Sequence, residues 1–392
     1  MKGLLYLAVR YMLFHRWRTI VLILGLTLTL FLPTSIHFLV DNFERSLWTR
    51  SDRTPMVVGA KGSRFDLVLH ALYFRAKTPE LISMAEMQDI AASGFGSAFP
   101  IYATFRARGF PIVGTSLEYF EFRNLAVREG RNLVHLGECV LGAKVASKLK
   151  LGVGDSLMSD PENVFNIAGE YPLKMRVVGV LDSSDSVDDQ AVFVDIKTSW
   201  IIAGIGHGHV DLALSENQDT VLRREGTKIV ANAAVMQHME VTEANRNSFH
   251  FHADPGERPL TAVLVAPKNL KASTLLRGRY QGDESRLQVL RPREIVAEMI
   301  ETVSRVKQFL DLNFVIVGSI VGLFLILVIL LSLRLRELEM ETLYLLGCRR
   351  GTVWALVATE LALVAVTSLV MTGVLYALSY SVFESWLTRM FN

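Results

Sequence analysis

Residues 19–40 read TIVLILGLTLTLFLPTSIHFLV and contain no Asp, Glu, Lys or Arg. About 20 apolar residues are enough for a helix to cross the roughly 30 Å of hydrocarbon in a bilayer, so this stretch predicts a first membrane span. Basic residues precede it, as they do in secretory signal peptides. The run is longer than the apolar core of a signal peptide and has no clear small-x-small cleavage site. We therefore expect an anchor that stays in the mature protein.

Two further stretches, residues 312–333 and 353–382, are also long and apolar enough to span a membrane, although Glu360 interrupts the second. The chain of 392 residues is 51% hydrophobic and 20% charged. This is too apolar for an ordinary soluble protein and too charged for one buried wholly in lipid. The composition indicates a few spans and a sizeable domain in water. A net charge of +2 implies no polyanionic partner, so we expect no nucleic-acid binding.

Arginines cluster before the first span and between the second and third. They are Arg10, Arg16, Arg18, Arg334, Arg336, Arg349 and Arg350. Because cytoplasmic loops are enriched in positive residues, residues 1–18 and 334–352 are expected in the cytoplasm. Residues 41–311 and the tail 383–392 are then expected on the other side of the membrane.

The segment 41–311 predicts a mixed α/β (α+β) domain. Its β-rich runs are PMVVGA (55–60), MRVVGVL (175–181), AVFVDI (191–196) and LTAVLVAP (260–267). Helical patterns cover residues 81–92 and 143–150. Residues 293–311 predict a stalk helix that continues into the second span, since no Gly or Pro separates them. The predicted fold class is thus an α-helical membrane protein with three spans and a large α/β domain between the first two.

The cytoplasmic segment 334–360, RLRELEMETLYLLGCRRGTVWALVATE, resembles the R-x-x-E-[IL]-x-x-[LM]-[RY]-x-[LM]-G-[AC]-x-[RK] segment of FtsX-like permeases. In that family a short helix here couples the membrane subunit to the nucleotide-binding subunit. Met340 departs from the family's usual Ile or Leu. The resemblance assigns the coupling role to Arg336, Glu339, Leu343, Tyr344, Leu346, Gly347 and Arg350, with Cys348 as a further match.

Three other segments resemble the same family. ECVLGAKVASKLKLGVGDS (138–156) is similar to its "vlG..vA..L.l.vGD.i" segment, and RVVGVL and DDQAVFVDI follow it in the family's order. LAVRYMLFHRWRTIVLILGLTL (7–28) resembles the amphipathic lead-in to its first span. The chain therefore resembles MacB/FtsX-like permeases of the type VII ABC superfamily, including LolC/LolE-like proteins. The family normally has four spans, and we expect this chain to lack the fourth.

The resemblance implies a multi-pass protein of the bacterial inner membrane with a MacB-like periplasmic domain. It also implies a cytoplasmic ABC ATPase dimer that binds ATP and magnesium, a second permease protomer, and a periplasmic or lipoprotein partner. In such systems the spans do not usually conduct the substrate. The periplasmic domain moves instead, a mode of action called mechanotransmission.

Catalytic motifs are missing from the sequence. It contains no G-x-x-x-x-G-K-[ST], H-E-x-x-H, C-x-x-C or G-x-S-x-G, so we expect a non-catalytic subunit whose ATPase is a separate chain. Its two cysteines, Cys139 and Cys348, fall in segments predicted on opposite sides of the membrane. They are therefore not expected to form a disulfide.

Two H-x-H motifs stand out in the predicted outer domain: His207-Gly-His209 and His250-Phe-His252. In a strand, residues i and i+2 point to the same face, so each motif could present two imidazoles to one zinc ion. The alternative is a pair of polar loops that happen to contain histidines. His207, His209, His250 and His252 are the candidate metal ligands.

Two functions are open at this point. The first is an ABC permease that couples ATP hydrolysis by a partner to conformational work outside the membrane, exporting or extracting a peptide, lipoprotein or drug-like substrate. The second is a membrane-anchored periplasmic binding or scaffold protein, with a metal site but without a motor. An ATPase that docks on residues 334–352 would distinguish the two.

Overall fold

The computed structural model describes residues 2–75, 77–161, 172–208, 221–225, 228–231, 240–282, 284–335, 341–342, 345, 347 and 349–390. The chain forms two units. We call Met1–Arg45 with Met299–Asn392 the helical unit, and Ser46–Glu298 the sheet unit.

The helical unit is built from long helices. They are α1 (Lys2–Phe14), α2 (Arg16–Asp52), α9 (Pro292–Leu335) and α10 (Arg350–Met390). Among the residues that the structure describes, three helical stretches are long and apolar enough to cross a membrane, namely Arg16–Asp52, Pro292–Leu331 and Gly351–Ser379. Together with the mixed α/β sheet unit, they confirm the predicted fold class. The predicted stalk is the first part of the uninterrupted helix α9.

Polar contacts between helices hold the helical unit together. The Ser368 hydroxyl donates to the Ile23 carbonyl at 3.3 Å, and the Thr372 hydroxyl donates to the Thr27 carbonyl at 3.4 Å, so α10 lies against α2. Small hydroxyl residues let two helix backbones approach closely and hydrogen-bond across the interface. Between α2 and α9, Lys307 Nζ lies 2.8 Å from a carboxylate oxygen of Asp41.

The sheet unit contains seventeen strands among the described residues. They are β1 (Met56–Ala60), β2 (Ile82–Ser83), β3 (Gly96–Ile101), β4 (Arg106–Ala107), β5 (Phe110–Thr115), β6 (Val127–Gly130), β7 (Glu138–Leu141), β8 (Ser156–Met158), β9 (Lys174–Leu181), β10 (Val192–Asp195), β11 (Gly206–Gly208), β12 (Val221–Glu225), β13 (Lys228–Ala231), β14 (Phe249–Phe251), β15 (Pro259–Leu260), β16 (Ala262–Pro267) and β17 (Leu287–Leu290). Its helices are α3 (Arg64–Tyr73), α4 (Met84–Ala92), α5 (Glu118–Arg123), α6 (Ala143–Leu149), α7 (Ile196–Ile202) and α8 (Leu270–Arg279).

Two sheets form the frame of this unit. One has the order β17-β1-β16-β3, and its pairs are antiparallel. The other runs β4-β5-β10-β7-β9-β6, with β8 paired to β9. It is mixed, because β10 is parallel to β5 but antiparallel to β7. Every residue of β1, β5 and β7 is buried, which explains their nearly continuous apolar sequence. The core therefore lies on both faces of these strands.

The segment 138–156 forms β7, α6 and a turn. Gly142 precedes α6, and a Cβ there would lie 2.4 Å from the Asp188 carbonyl oxygen, so the close approach requires glycine. At the end of α6 the left-handed residue is Lys150, with φ of 54°. Gly154, with φ of 98°, shapes the turn that follows. The helix therefore ends on a left-handed lysine, and the glycine with a positive φ lies four residues further on, in the turn.

The thiol of Cys139 is free and buried in β7. Burial raises its pKa to about 12, with a smaller contribution from the Glu138 carboxylate. The thiol therefore stays protonated at neutral pH and behaves as a small apolar core group. Cys348 lies outside the described residues.

Candidate functional sites

The predicted coupling segment is described only in part. Gly347 has φ of 91°, a backbone region that favours glycine. No atom of the described residues lies within 4 Å of where its Cβ would be. Arg350 is the first residue of α10. The other predicted coupling residues lie outside the described part of the chain; they are Arg336, Glu339, Leu343, Tyr344 and Leu346.

The last turns of α2 carry a buried cation. Arg50 is only 6% exposed and forms a two-pronged ion pair with Asp188, which is 1% exposed. Its Nε donates to the Leu72 carbonyl at 3.0 Å, and its Nη2 donates to the Tyr119 hydroxyl at 3.1 Å. The Tyr119 hydroxyl in turn donates to Asp188 at 2.9 Å. We call Arg50, Asp188 and Tyr119 the joint cluster.

The charges in the joint cluster stabilise each other. Burial alone would raise the pKa of Asp188, but the Arg50 guanidinium, with smaller contributions from Arg123 and the Tyr119 hydroxyl, holds that pKa below its ordinary value. Burial likewise opposes the charge on Arg50, but the Asp188 carboxylate and Tyr119 together more than compensate, so the pKa of Arg50 is raised. Both groups stay ionised, and their hydrogen bonds are charge-assisted. The cluster therefore fastens the end of α2 inside the sheet unit.

Little in the local sequence pattern indicated this cluster. Arg50 lies ten residues beyond the predicted span, where a charged residue is ordinarily solvated, and Asp188 belongs to the polar run DSSDSVDD. The only available signal was the match of DDQAVFVDI to the family segment, which begins at Asp188. Their contact spans 138 residues of sequence, a separation that periodicity cannot bridge.

The helical unit has its own ion pair inside the apolar region. Glu360, which interrupts the third predicted span, is 7% exposed and pairs with Arg18 of α2. Leu22 and Val364 line the same small cavity. A charge within an apolar span is costly unless it is paired, and here the partner is one of the arginines predicted to set the topology.

Three of the four predicted metal ligands come together in the sheet unit. β11 pairs antiparallel with β14, and His207 lies directly opposite His250. His252 follows two residues later, and its backbone N–H donates to the Ile205 carbonyl at 3.2 Å, so the pairing extends to it. The Nε2 atoms of His207 and His252 are 3.1 Å apart. His209 lies outside the described residues.

Strand alternation explains why these imidazoles share a face. Phe249 and Phe251 pack against the main apolar cluster, so His250 and His252 point the other way. Gly206 and Gly208 leave space for the phenylalanine rings of β14. A Cβ at Gly206 would lie 2.5 Å from Phe251, and one at Gly208 would lie 2.7 Å from Phe249. The Gly-His-Gly and Phe-His-Phe-His patterns thus complement each other across the ladder.

The sequence matches the family described as the MacB-like periplasmic core domain over residues 19–238. This is more than half of the 392 residues. The fold and the match define a membrane-embedded permease of the ABC transporter superfamily. The chain belongs to the MacB/FtsX-like family of these permeases.

Solved structures of two periplasmic or extracellular regions resemble part of the chain. The periplasmic region of MacB from Actinobacillus actinomycetemcomitans is 11% identical, covering 63% of this chain and 92% of that one with a TM-score of 0.34. The extracellular domain of the noncanonic ABC-type transporter YknZ from Gram-positive bacteria is 12% identical, covering 60% of this chain and 98% of that one with a TM-score of 0.32. No curated protein matches the chain.

Proposed function

We propose that this permease couples ATP hydrolysis by a separate cytoplasmic ATPase dimer to movement of the sheet unit. The work done is export or extraction of a peptide, a lipoprotein or a drug-like substrate. In this proposal the chain lies in the bacterial inner membrane, with residues 1–18 in the cytoplasm and the sheet unit in the periplasm. A second permease protomer completes the complex.

One observation carries the proposal: α2 and α9 each continue from an apolar span into residues of the sheet unit without a break in the helix. The 44 residues of α9 correspond to about 66 Å of helix, roughly twice the thickness of the hydrocarbon. A continuous helix is stiff along its axis. A displacement at its cytoplasmic end is therefore delivered to its far end.

The joint cluster supports the same role for α2. Arg50 is held by Asp188, by Tyr119 and by the Leu72 carbonyl. A helix can transmit a displacement only if its end is firmly attached to the domain that it displaces. A buried two-pronged ion pair provides such an attachment. In this mechanism α2 and α9 are two stiff helices that both end in the sheet unit and transmit displacement to it.

The conformational change of the ATPase is proposed to act on residues 334–352, where the sequence resembles the family's coupling segment. The test is reconstitution of the purified chain with its ATPase in lipid nanodiscs. We expect Arg336→Ala and Gly347→Trp to abolish the change in ATPase rate that the permease causes. The exposed Arg108 of the sheet unit provides the matched control, because Arg108→Ala removes the same charge far from this segment in sequence.

A photo-crosslinker placed at position 344 gives a direct readout of the partner. We expect it to capture an ATPase subunit in membranes from cells that express the whole complex. Recovery of the chain with no nucleotide-hydrolysing companion, or a permease effect on the ATPase rate that is the same in both coupling variants as in the wild type, would favour the membrane-anchored scaffold instead. Labelling of single cysteines introduced in the sheet unit, in intact spheroplasts, tests its periplasmic location.

A further inference from the structure

The histidines of β11 and β14 form a cluster that the proposed function does not use. The nearest ring nitrogens of His207, His250 and His252 all lie within 4.8 Å of one another. Their ring centroids are separated by 5.0 Å (His207 and His250), 4.6 Å (His207 and His252) and 4.8 Å (His250 and His252). We propose that these three side chains bind one divalent transition-metal ion of the zinc type.

The spacing suits a zinc ion. Each Zn–N bond is about 2.0–2.1 Å long, so two nitrogens on a tetrahedral zinc lie about 3.3 Å apart. The Nε2 atoms of His207 and His252 are 3.1 Å apart, which is close to that value. Closing a pair that is 4.8 Å apart to this distance needs a shift of about 1.5 Å. Small changes in the χ angles of the exposed His250 and His252 side chains provide it.

The hydrogen bonding of His250 favours a ligand role. Its Nδ1 lies 3.1 Å from the Ser248 carbonyl oxygen. A carbonyl oxygen only accepts, so Nδ1 donates in this contact and Nε2 is the nitrogen that would bind the metal. Metal-binding histidines ordinarily have their second nitrogen held in this way by a carbonyl or carboxylate. This contact orients the ring before the metal arrives.

The strands beneath the cluster are held by aromatic packing. Trp200 lies 6.4 Å from Phe251, centroid to centroid, and its Nε1 donates to the Pro259 carbonyl at 2.8 Å. The guanidinium of Arg258 lies 4.6 Å from the Phe251 ring centroid. Packing on the apolar face of β11 and β14 thus holds the backbone of the histidines in place. Metal binding therefore costs little conformational entropy of the backbone.

Imidazole nitrogens select zinc-type ions over calcium or magnesium, which prefer oxygen ligands. His207 is half-buried, and His250 and His252 are exposed, so the ion is accessible from water. Three protein ligands leave a fourth tetrahedral position for water or for a donor from another molecule. The site therefore binds the ion reversibly at the surface of the sheet unit.

The test uses the full chain in detergent, without a histidine tag, and titrates Zn²⁺ against a chromophoric chelator. We expect one high-affinity zinc per chain. His207→Ala, His250→Ala and His252→Ala are each expected to weaken it at least about tenfold, since loss of even an outer-shell partner costs that much. His135→Ala is the matched control, because the His135 ring lies 3.0 Å from Arg246 and outside the cluster.

Co²⁺ provides a second readout, because tetrahedral nitrogen coordination gives visible absorption bands that reflect the ligands directly. We expect these bands in the wild type and in His135→Ala, and their loss in the three cluster variants, with circular dichroism unchanged. Equal zinc affinity in the wild type and the cluster variants, or failure of the wild type to bind, would overturn the proposal. The measurement needs neither nucleotide nor a partner, so it is independent of the ATPase coupling.

Discussion

Arg50 and Asp188 are buried together within the sheet unit although they lie far apart in sequence, and the charge of each depends on the other. Asp188→Asn leaves the guanidinium of Arg50 buried without a counter-charge. Breaking one side of a buried pair costs about 3–5 kcal/mol, so we expect the free energy of unfolding of the sheet unit to fall by about that amount. Denaturant titration followed by the fluorescence of Trp200, which is 2% exposed, measures it.

The neighbouring Asp185 supplies the control for that substitution. It is exposed, with φ of 48°, and asparagine adopts this left-handed conformation readily. Asp185→Asn is therefore expected to leave stability unchanged. Similar losses in the two variants would show that the Arg50–Asp188 pair has no special role.

His70 of α3 introduces a pH dependence. It is 2% exposed, and neither ring nitrogen has a hydrogen-bond partner among the described residues. Burial lowers its pKa to about 4, against an ordinary value of 6.5. As pH falls from 6.5 to about 4, the unfolded chain binds a proton at His70 and the folded chain does not. The free energy of unfolding is therefore highest above pH 6.5 and declines as pH falls through this range. The loss amounts to about 3 kcal/mol at most.

His70→Leu removes the titrating group and keeps a side chain in the space. We expect its free energy of unfolding to depend less steeply on pH than that of the wild type between pH 6.5 and about 4. Denaturant titrations across this range measure both curves. Parallel curves for the two proteins would mean that His70 does not titrate differently on unfolding, whatever the offset between them.

At the scale of elements, the ion pair between α2 and α10 is the contact most open to test. Arg18 and Glu360 form it within the helical unit. Arg18→Met or Glu360→Gln alone leaves one charge beside apolar side chains. The double substitution leaves none, so it should cost less than the sum of the two, with a coupling energy of about 1–3 kcal/mol. Thermal unfolding of all four proteins in detergent measures it, and additive effects would count against the pair.

The stalk part of α9 can be broken without removing its contacts. Proline inside a helix costs about 3 kcal/mol and kinks the axis. In the reconstituted complex, we expect Arg305→Pro to abolish the nucleotide-dependent change in hydrogen exchange of the sheet unit. Arg305→Ala is the control, because it loses only an exposed ion pair with Glu301. An unchanged nucleotide response in the proline variant would exclude α9 as the transmitting rod.

At the scale of the whole molecule, the apolar clusters of the sheet unit lie entirely within it, between Met56 and Ile295. A fragment of residues 46–298 therefore retains its whole core and is long enough to bury it. We expect this fragment to be soluble and to unfold cooperatively in circular dichroism. A fragment that shows no unfolding transition would mean that the spans are required for the fold.

Local pattern accounts for the parts of the fold that were predicted. The runs 175–181 and 191–196 are strands β9 and β10 to within a residue or two, because each is an apolar run bounded by turn residues. The H-x-H spacing indicated a shared face, but it could not show that β11 would pair with β14. The short strand β11 is itself too glycine-rich to be identified as a strand from its sequence.

The sequence alone determined the spans, the fold class and the family, because these follow from apolar length, local periodicity and short motifs that need no knowledge of distant neighbours. Which charges are buried together and which histidines meet could be read only from the three-dimensional fold. Arg50 and Asp188 lie 138 residues apart, and His207 and His252 lie 45 residues apart. Contacts at such separations depend on strand order and register, and no local pattern encodes them.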